Sequence, residues 1–362
     1  MATSDATWAY RERFGDDFAR TYFRRFGDGV VSSLGLGTYL GEATDAADER
    51  YHEAVVEALE SGINVVDTAI NYRNQRSERV IGDAVDAADV DREAVMVATK
   101  GGFVPFDESR PEDPGRWIRE EYVDTGLVDA DDLARGQHSI APEFIDDQFD
   151  RSLANLGLDT IDCYYVHNPE TQLVAHDREA VYDQLEAAFE RLERRVAAGE
   201  LRNYGVAAWE ALRVEPEHDS HLSLAEIASR ARAAADSVGN AATSFRALQL
   251  PFNAAMADAF TVEGQSGADG PQSTLWFAHE AGLDVFTSAS LAQGKLATGL
   301  PDGVAARVEG ETSAQRAINF ARSAPGVTAS LVGMGSPEHV AENVAAGTYP
   351  PLGAETFDEI FE

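Results

Sequence analysis

The chain is 362 residues long, enough for one large α/β domain or two smaller ones, and 44% of it is hydrophobic. Its formal charge of −34, from 63 acidic against 29 basic side chains, excludes a nucleic-acid partner and argues against an anionic membrane surface. The single cysteine, Cys163, excludes an intramolecular disulfide and a cysteine-based zinc cluster, and no run reaches the roughly 18 apolar residues of a membrane span.

Residues 7–26 mix charges with aromatics and lack the apolar core of a signal peptide, so we expect a soluble, cytoplasmic protein. From there, short apolar runs alternate with helix-period segments. Strands are predicted over 31–37, 63–66, 94–99, 162–166, 204–207, 247–250, 283–287 and 327–332. Helices are predicted over 51–60, 77–86, 142–156, 179–199, 222–238, 272–281, 313–322 and 337–345, several opening on Ser, Asp or Pro and closing near Gly. Eight strand-then-helix units read as one (β/α)8 TIM barrel across 1–362, with its working residues on the loops after the strands. An open doubly wound sheet is the alternative. Residues 106–141, rich in Pro, Asp, Glu and Gly but carrying Trp117 and Tyr122, form an extended loop after the third strand and a candidate lid. Residues 213–221 and 257–271 read as polar surface loops. The acid is spread along the whole chain, and Lys100 and Lys295 are its only lysines, a composition suited to strong salt.

The chemistry gathers where apolar runs break off. Val65-Val66 leads into Asp67, with Tyr72 five residues later; 95–99 ends at Lys100; 163–166 ends at His167. A phenol ordinarily ionises near pH 10, and a neighbouring ammonium lowers that value. Asp67 would keep Lys100 charged and oriented, Lys100 would tune Tyr72, and His167 would polarise a carbonyl oxygen. Together the four can hand a proton to a carbonyl.

On these residues the chain resembles the aldo-keto reductase superfamily. Leu34-Gly35-Leu36-Gly37-Thr38-Tyr39 is similar to its first-strand signature, and 62–69 with Asn71-Tyr72 and Ser77-Glu78 to its Asp/Tyr motif. Thr99-Lys100 and Tyr165-Val166-His167-Asn168-Pro169 supply the other two members. The resemblance implies an NAD(P)-dependent carbonyl reductase or alcohol dehydrogenase that needs no metal. It places Gln249 at the nicotinamide amide and Ser290, Leu291 and Gly294 around the pyrophosphate. Gly333, Met334, Gly335, Ser336, His339, Glu342 and Asn343 fall at the adenosine end, where a short loop and a helix N-terminus offer backbone N–H groups to a phosphate. By position, Tyr39, Phe103, Trp117 and Asn168 are candidate pocket walls for a small aldehyde, ketone or sugar lactol.

The sequence departs from that pattern in its grip on the cofactor. Ala207-Ala208 stand where the family usually has Ser-Asn, Ser288 where it often stacks a Tyr, and His339 at the customary arginine. NADP or NAD therefore both remain open, as does a catalytically weak, cofactor-binding regulatory barrel. Rival motifs fail on spacing. Gly41 is one residue late for G-x-G-x-x-G, Met96 and Leu291 replace the Tyr a short-chain dehydrogenase needs four residues before Lys, and no Gly-x-Ser-x-Gly occurs. His218 and His221 sit in an acidic loop without a third His or Cys partner and read as solvated side chains; Cys163, inside an apolar run, reads as buried packing.

Overall fold

The computed structural model describes residues 1–361. Helix α1 (Ser4–Phe14) precedes a hairpin of β1 (Phe23–Phe26) and β2 (Gly29–Ser32). Then follow β3 (Leu34–Gly37), α2 (Asp45–Glu60), β4 (Val65–Asp67), α3 (Arg76–Ala87) and β5 (Met96–Gly101). An insert carrying α4 (Pro114–Ile118) leads to α5 (Pro142–Leu156), β6 (Ile161–His167), α6 (Arg178–Ala198), β7 (Leu201–Ala207), α7 (Leu224–Val238) and β8 (Phe245–Pro251). A small excursion of α8 (Asp258–Thr261), β9 (Gln265–Gly267) and β10 (Gly270–Gln272) comes before α9 (Thr274–Glu280) and β11 (Asp284–Ser288). The last elements are α10 (Asp302–Ala305), α11 (Ser313–Ser323), β12 (Val327–Gly333), α12 (Pro337–Val344) and α13 (Ala354–Asp358).

Strands β11-β12-β3-β4-β5-β6-β7-β8 close into a barrel in that order, every neighbour parallel. The fold is a (β/α)8 barrel, not an open sheet. Local chemistry sets the helix ends. The Asp177 carboxylate accepts from Ala180 N–H (2.9 Å) to start α6, which stops at Gly199 (φ 79°). Thr312 and Gln315 form a reciprocal capping box on α11.

Two layers of core result. Side chains pointing into the barrel, among them Val65, Met96, Ala98, Cys163, Tyr165 and Phe286, fill its interior. Between strands and helices lies a larger apolar shell from Tyr22 to Phe357. The predicted 31–37 strand divides at Ser33, whose N–H turns away to the Tyr22 carbonyl (2.7 Å). Its first part joins the β1–β2 hairpin, which closes the amino-terminal end of the barrel with Phe26 edge-on to Phe286 (5.5 Å between centroids). The other end stays open.

Two polar stretches read as loops carry structure. Residues 257–271 hold α8 and a two-stranded hairpin. Within 106–141, Ile118, Tyr122 and Val128 pack with Val104 and Phe144 into a satellite core on the barrel flank. His221 is also buried, its Nε2 2.7 Å from the Gly264 carbonyl, and so is not the solvated histidine expected. Among the described residues no helix is long and apolar enough to cross a membrane.

Candidate active site

At the carboxyl end of the barrel a cleft of about 710 Å³ opens, within the range of small-molecule and cofactor sites. Seven of the eight strand ends contribute to its wall, and Phe103, just beyond β5, stands in for the eighth. Gly37, Asp67, His167, Ala207, Gln249, Ser288 and Gly333 all line it.

Its floor is an ion pair. Lys100, fully buried, donates from Nζ to Asp67 Oδ2 (2.6 Å) and to the Thr68 carbonyl (2.7 Å). Gln249 Nε2 donates to the other Asp67 oxygen (2.8 Å), so both carboxylate oxygens are satisfied. The Lys100 ammonium lies 4.9 Å from the centroid of the Tyr72 ring, and the rings of Tyr39 and His167 approach Tyr72 edge-on at 5.0 and 6.0 Å. Tyr72, Lys100, Asp67 and His167 therefore meet at one place, although they come from three strands and a turn.

The electrostatics differ from the sequence expectation in one respect. Burial pushes the Tyr72 phenol above its usual value, and the Lys100 charge pulls down without overcoming it. The phenol is thus held in its protonated form across neutrality, not brought towards ionisation. Burial is the largest influence on Lys100 and opposes its charge, but Asp67 and Tyr72 together outweigh it and hold the ammonium above its usual value. His167 is driven well below the ordinary imidazole value by burial, with Lys100 adding to the effect, so its ring is neutral.

From this floor the cleft runs past Ala207, Ala208 and Ser288 to Ser290, Leu291 and Gly294, and on to Gly333, His339, Glu342 and Asn343. A Cβ placed on Gly333 would meet no heavy atom within 4 Å, so backbone there faces open cleft. Ala289, Ala292 and Gln293 adopt left-handed backbone (φ 55°, 47° and 55°), an unfavourable conformation for non-glycine residues that tends to mark working loops. Asn71 Oδ1 and His167 Nδ1 are buried without partners on the same wall. These orphaned atoms and the length of the groove fit an extended, polar ligand such as a dinucleotide. Ser290 Oγ, however, is spent on the Leu331 carbonyl (3.0 Å), and Gln249 faces Asp67.

Other candidates lie elsewhere. Trp117, expected in the pocket wall, packs on Phe106 (5.4 Å) and Tyr122 (5.6 Å) in the core of the insert, where its apolar neighbours hold it. Met334 is buried in the apolar shell. Gly335 sits against Tyr51, and Ser336 caps α12 by accepting from His339 N–H (3.4 Å); neither lines the cleft. Tyr39, Phe103 and Asn168 do line it. Trp209, nearly half exposed at the rim, does too, and its place just after the fifth barrel strand is the signal that could have identified it.

A family model described as the aldo/keto reductase family matches residues 33–222. The NADH-specific methylglyoxal reductase of Escherichia coli (strain K12) is 31% identical over 145 residues, 39% of this chain and 39% of that protein. The chain thus spans about two-fifths of the length of that curated relative. Among solved structures, the holo form of aldo-keto reductase AKR11C1 from Bacillus halodurans superposes with a TM-score of 0.63 at 20% identity, covering 94% of this chain and 95% of that one. An aldo/keto reductase from Klebsiella pneumoniae in complex with NADP and acetate gives 0.61 at 20%, covering 94% of each.

Proposed function

The chain belongs to the aldo/keto reductase family, and we propose that it is an NAD(P)-dependent oxidoreductase acting between a small aldehyde, ketone or sugar lactol and the corresponding alcohol. The observation that carries this reading is the buried Asp67–Lys100 pair beneath Tyr72, with a neutral His167 beside it at the floor of the cleft. A bound nicotinamide would supply or accept the hydride. The residues of the chain do the rest. Tyr72, protonated at neutral pH, gives its phenolic proton to the carbonyl oxygen in reduction. Lys100 stabilises the phenolate left behind, and Asp67, fixed by Gln249, holds Lys100 in place. His167 meets the carbonyl oxygen and orients it. The rim formed by Tyr39, Phe103, Asn168 and Trp209 favours a compact, partly apolar substrate.

The Ser290–Gly294 loop and the end of β12 are the segments suited to the phosphates and adenosine. A 2′-phosphate calls for a cationic partner, best an arginine. The cleft offers His339 and Glu342 there, and the Arg316 guanidinium is engaged by the Gly310 carbonyl (2.8 Å). We therefore infer use of both cofactors, or a preference for NADH of less than roughly tenfold. A panel of carbonyls and alcohols assayed with NADH and NADPH in molar KCl tests the reading. Turnover of at least one carbonyl with both cofactors is expected. Micromolar dinucleotide binding with no turnover of any would contradict it and favour a cofactor-binding regulatory barrel.

A further inference from the structure

His167 lacks the anchor that a working imidazole normally has. Its Nδ1 is buried with no hydrogen-bond partner, so no side-chain bond fixes its ring. The ring is held by contact alone, edge-on to Phe103 (5.0 Å) and Tyr72 (6.0 Å). Its backbone is also at a limit. On the β5 side the ladder ends at Gly101 and Val166, one residue short of His167, while on the β7 side His167 is still paired with Ala207.

The place of the missing ladder contact is taken by a side chain from the insert. His138, fully buried, brings Nε2 to 2.7 Å from the His167 carbonyl oxygen. Its tautomer is set on the other side, where Gln172 Nε2 lies 2.8 Å from His138 Nδ1 and also donates to the His138 carbonyl (2.9 Å). An amide N–H pointing at Nδ1 requires that nitrogen to accept, which leaves the proton on Nε2 to be donated to His167. Burial pushes the His138 imidazole down to about 4, so this neutral arrangement persists at physiological pH. Phe103 is wedged between the two imidazoles, 4.7 Å from His138 and 5.0 Å from His167. Gly102 (φ 144°) leaves room for the bond, since a Cβ there would stand 2.9 Å from the His167 oxygen and 3.2 Å from His138 Nε2.

We propose that His138 is a positioning residue for His167: its Nε2–H holds the His167 carbonyl and, through Phe103, keeps the His167 ring turned to the substrate. The insert after β5 then serves the reaction through its far end. The inference rests on the proposed role of His167 in orienting the carbonyl, and the test separates the two. His138→Leu removes the donor while keeping bulk, and His138→Gln restores an N–H of similar reach.

In the Leu variant kcat for carbonyl reduction is expected to fall about tenfold or more, because a small misplacement of an orienting group is costly. Dinucleotide Kd, read by fluorescence quenching, should stay within about twofold, and His138→Gln should recover most of the rate. In parallel, nitrogen–proton correlation spectra of the labelled histidines read geometry without turnover. His167 resonances should shift in His138→Leu and return in His138→Gln. An unchanged kcat together with unmoved His167 resonances overturns the proposal. If the resonances move but His167→Ala itself turns over like wild type, the positioning stands and the role of His167 fails. Should the Leu variant not fold, the wild-type spectrum still decides: a proton on His138 Nδ1 instead of Nε2 overturns the assignment.

Discussion

Tyr72 shows how two opposing effects are resolved at a single residue. Reasoning from neighbours alone, a lysine beside a phenol lowers its pKa; the structure adds burial, which acts in the opposite direction and wins. The consequence is measurable. On the proposed reading, the form active in carbonyl reduction is the neutral phenol, which persists below the raised value and is lost as pH climbs through it. The kcat for reduction should stay flat between about pH 6 and 9 and fall only in more alkaline solution. A fall already centred near pH 7 would mean that Lys100 prevails after all. Lys100 makes a second test possible. Replacing it with Met leaves Asp67 buried without its cation, a loss of roughly 3–5 kcal/mol in stability. Lys100→Met should therefore lower the urea midpoint clearly, and adding Asp67→Asn should restore much of it, whereas equal midpoints for the single and double variants would show no such coupling. The four site residues are legible because each ends or closely follows an apolar run, and strand ends of a barrel converge. His138 is not, since it stands in an irregular stretch with no period to place it, and its partner is a backbone carbonyl that carries no sequence mark.

Helices and strands follow the hydrophobic period closely where burial is one-sided, as over Pro142–Leu156, whose predicted and observed limits coincide. The β1–β2 hairpin is hidden in the sequence because Phe23-Arg24-Arg25-Phe26 alternates poorly and its role, plugging the barrel, depends on residues far along the chain. The loop after Tyr72 is similar: Arg73, Asn74 and Gln75 are all left-handed (φ 48°, 57° and 69°), held by Arg73 on Asp48 and by Gln75 Nε2 on the Phe106 carbonyl (3.2 Å). Only Asn74 is of a type that visits this region readily, and no glycine announces three such residues in a row. Packing between elements can also reverse a propensity. Gly82 lies inside α3, where alanine would ordinarily stabilise by about 1 kcal/mol. Its Cβ would stand 2.2 Å from the Leu156 carbonyl at the end of α5, so the helices would have to part. Gly82→Ala should cost about 1–3 kcal/mol, read from chemical denaturation, and a stabilised variant would refute the close contact.

For the molecule as a whole, charge is the dominant peculiarity. Single arginines gather several carboxylates: Arg230 meets Glu179, Asp183, Glu186 and Glu226, and Arg195 meets Asp146, Asp150 and Glu200. With 63 acidic residues against 29 lysines and arginines, the carboxylates outnumber the cations by 34 and repel one another on balance. We propose that the surface is adapted to strong salt, where a Debye length of roughly 3 Å at 1 M suppresses this repulsion. The Tm should rise by several degrees between about 0.1 and 2 M KCl, and an unchanged Tm would mark an ordinary acidic protein. The barrel itself is readable from eight repeated units, because each must bury its strand on both faces and only closure or a second helical layer allows that.

The central claim, that Tyr72 is the proton donor of a nicotinamide-dependent carbonyl reductase, is tested most directly by Tyr72→Phe. The phenyl ring keeps its place over Lys100 and loses only the hydroxyl. The account predicts that kcat for reduction falls by roughly 10²–10⁴-fold while dinucleotide Kd stays within about twofold. A variant that turns over carbonyl substrate at the wild-type rate would contradict it.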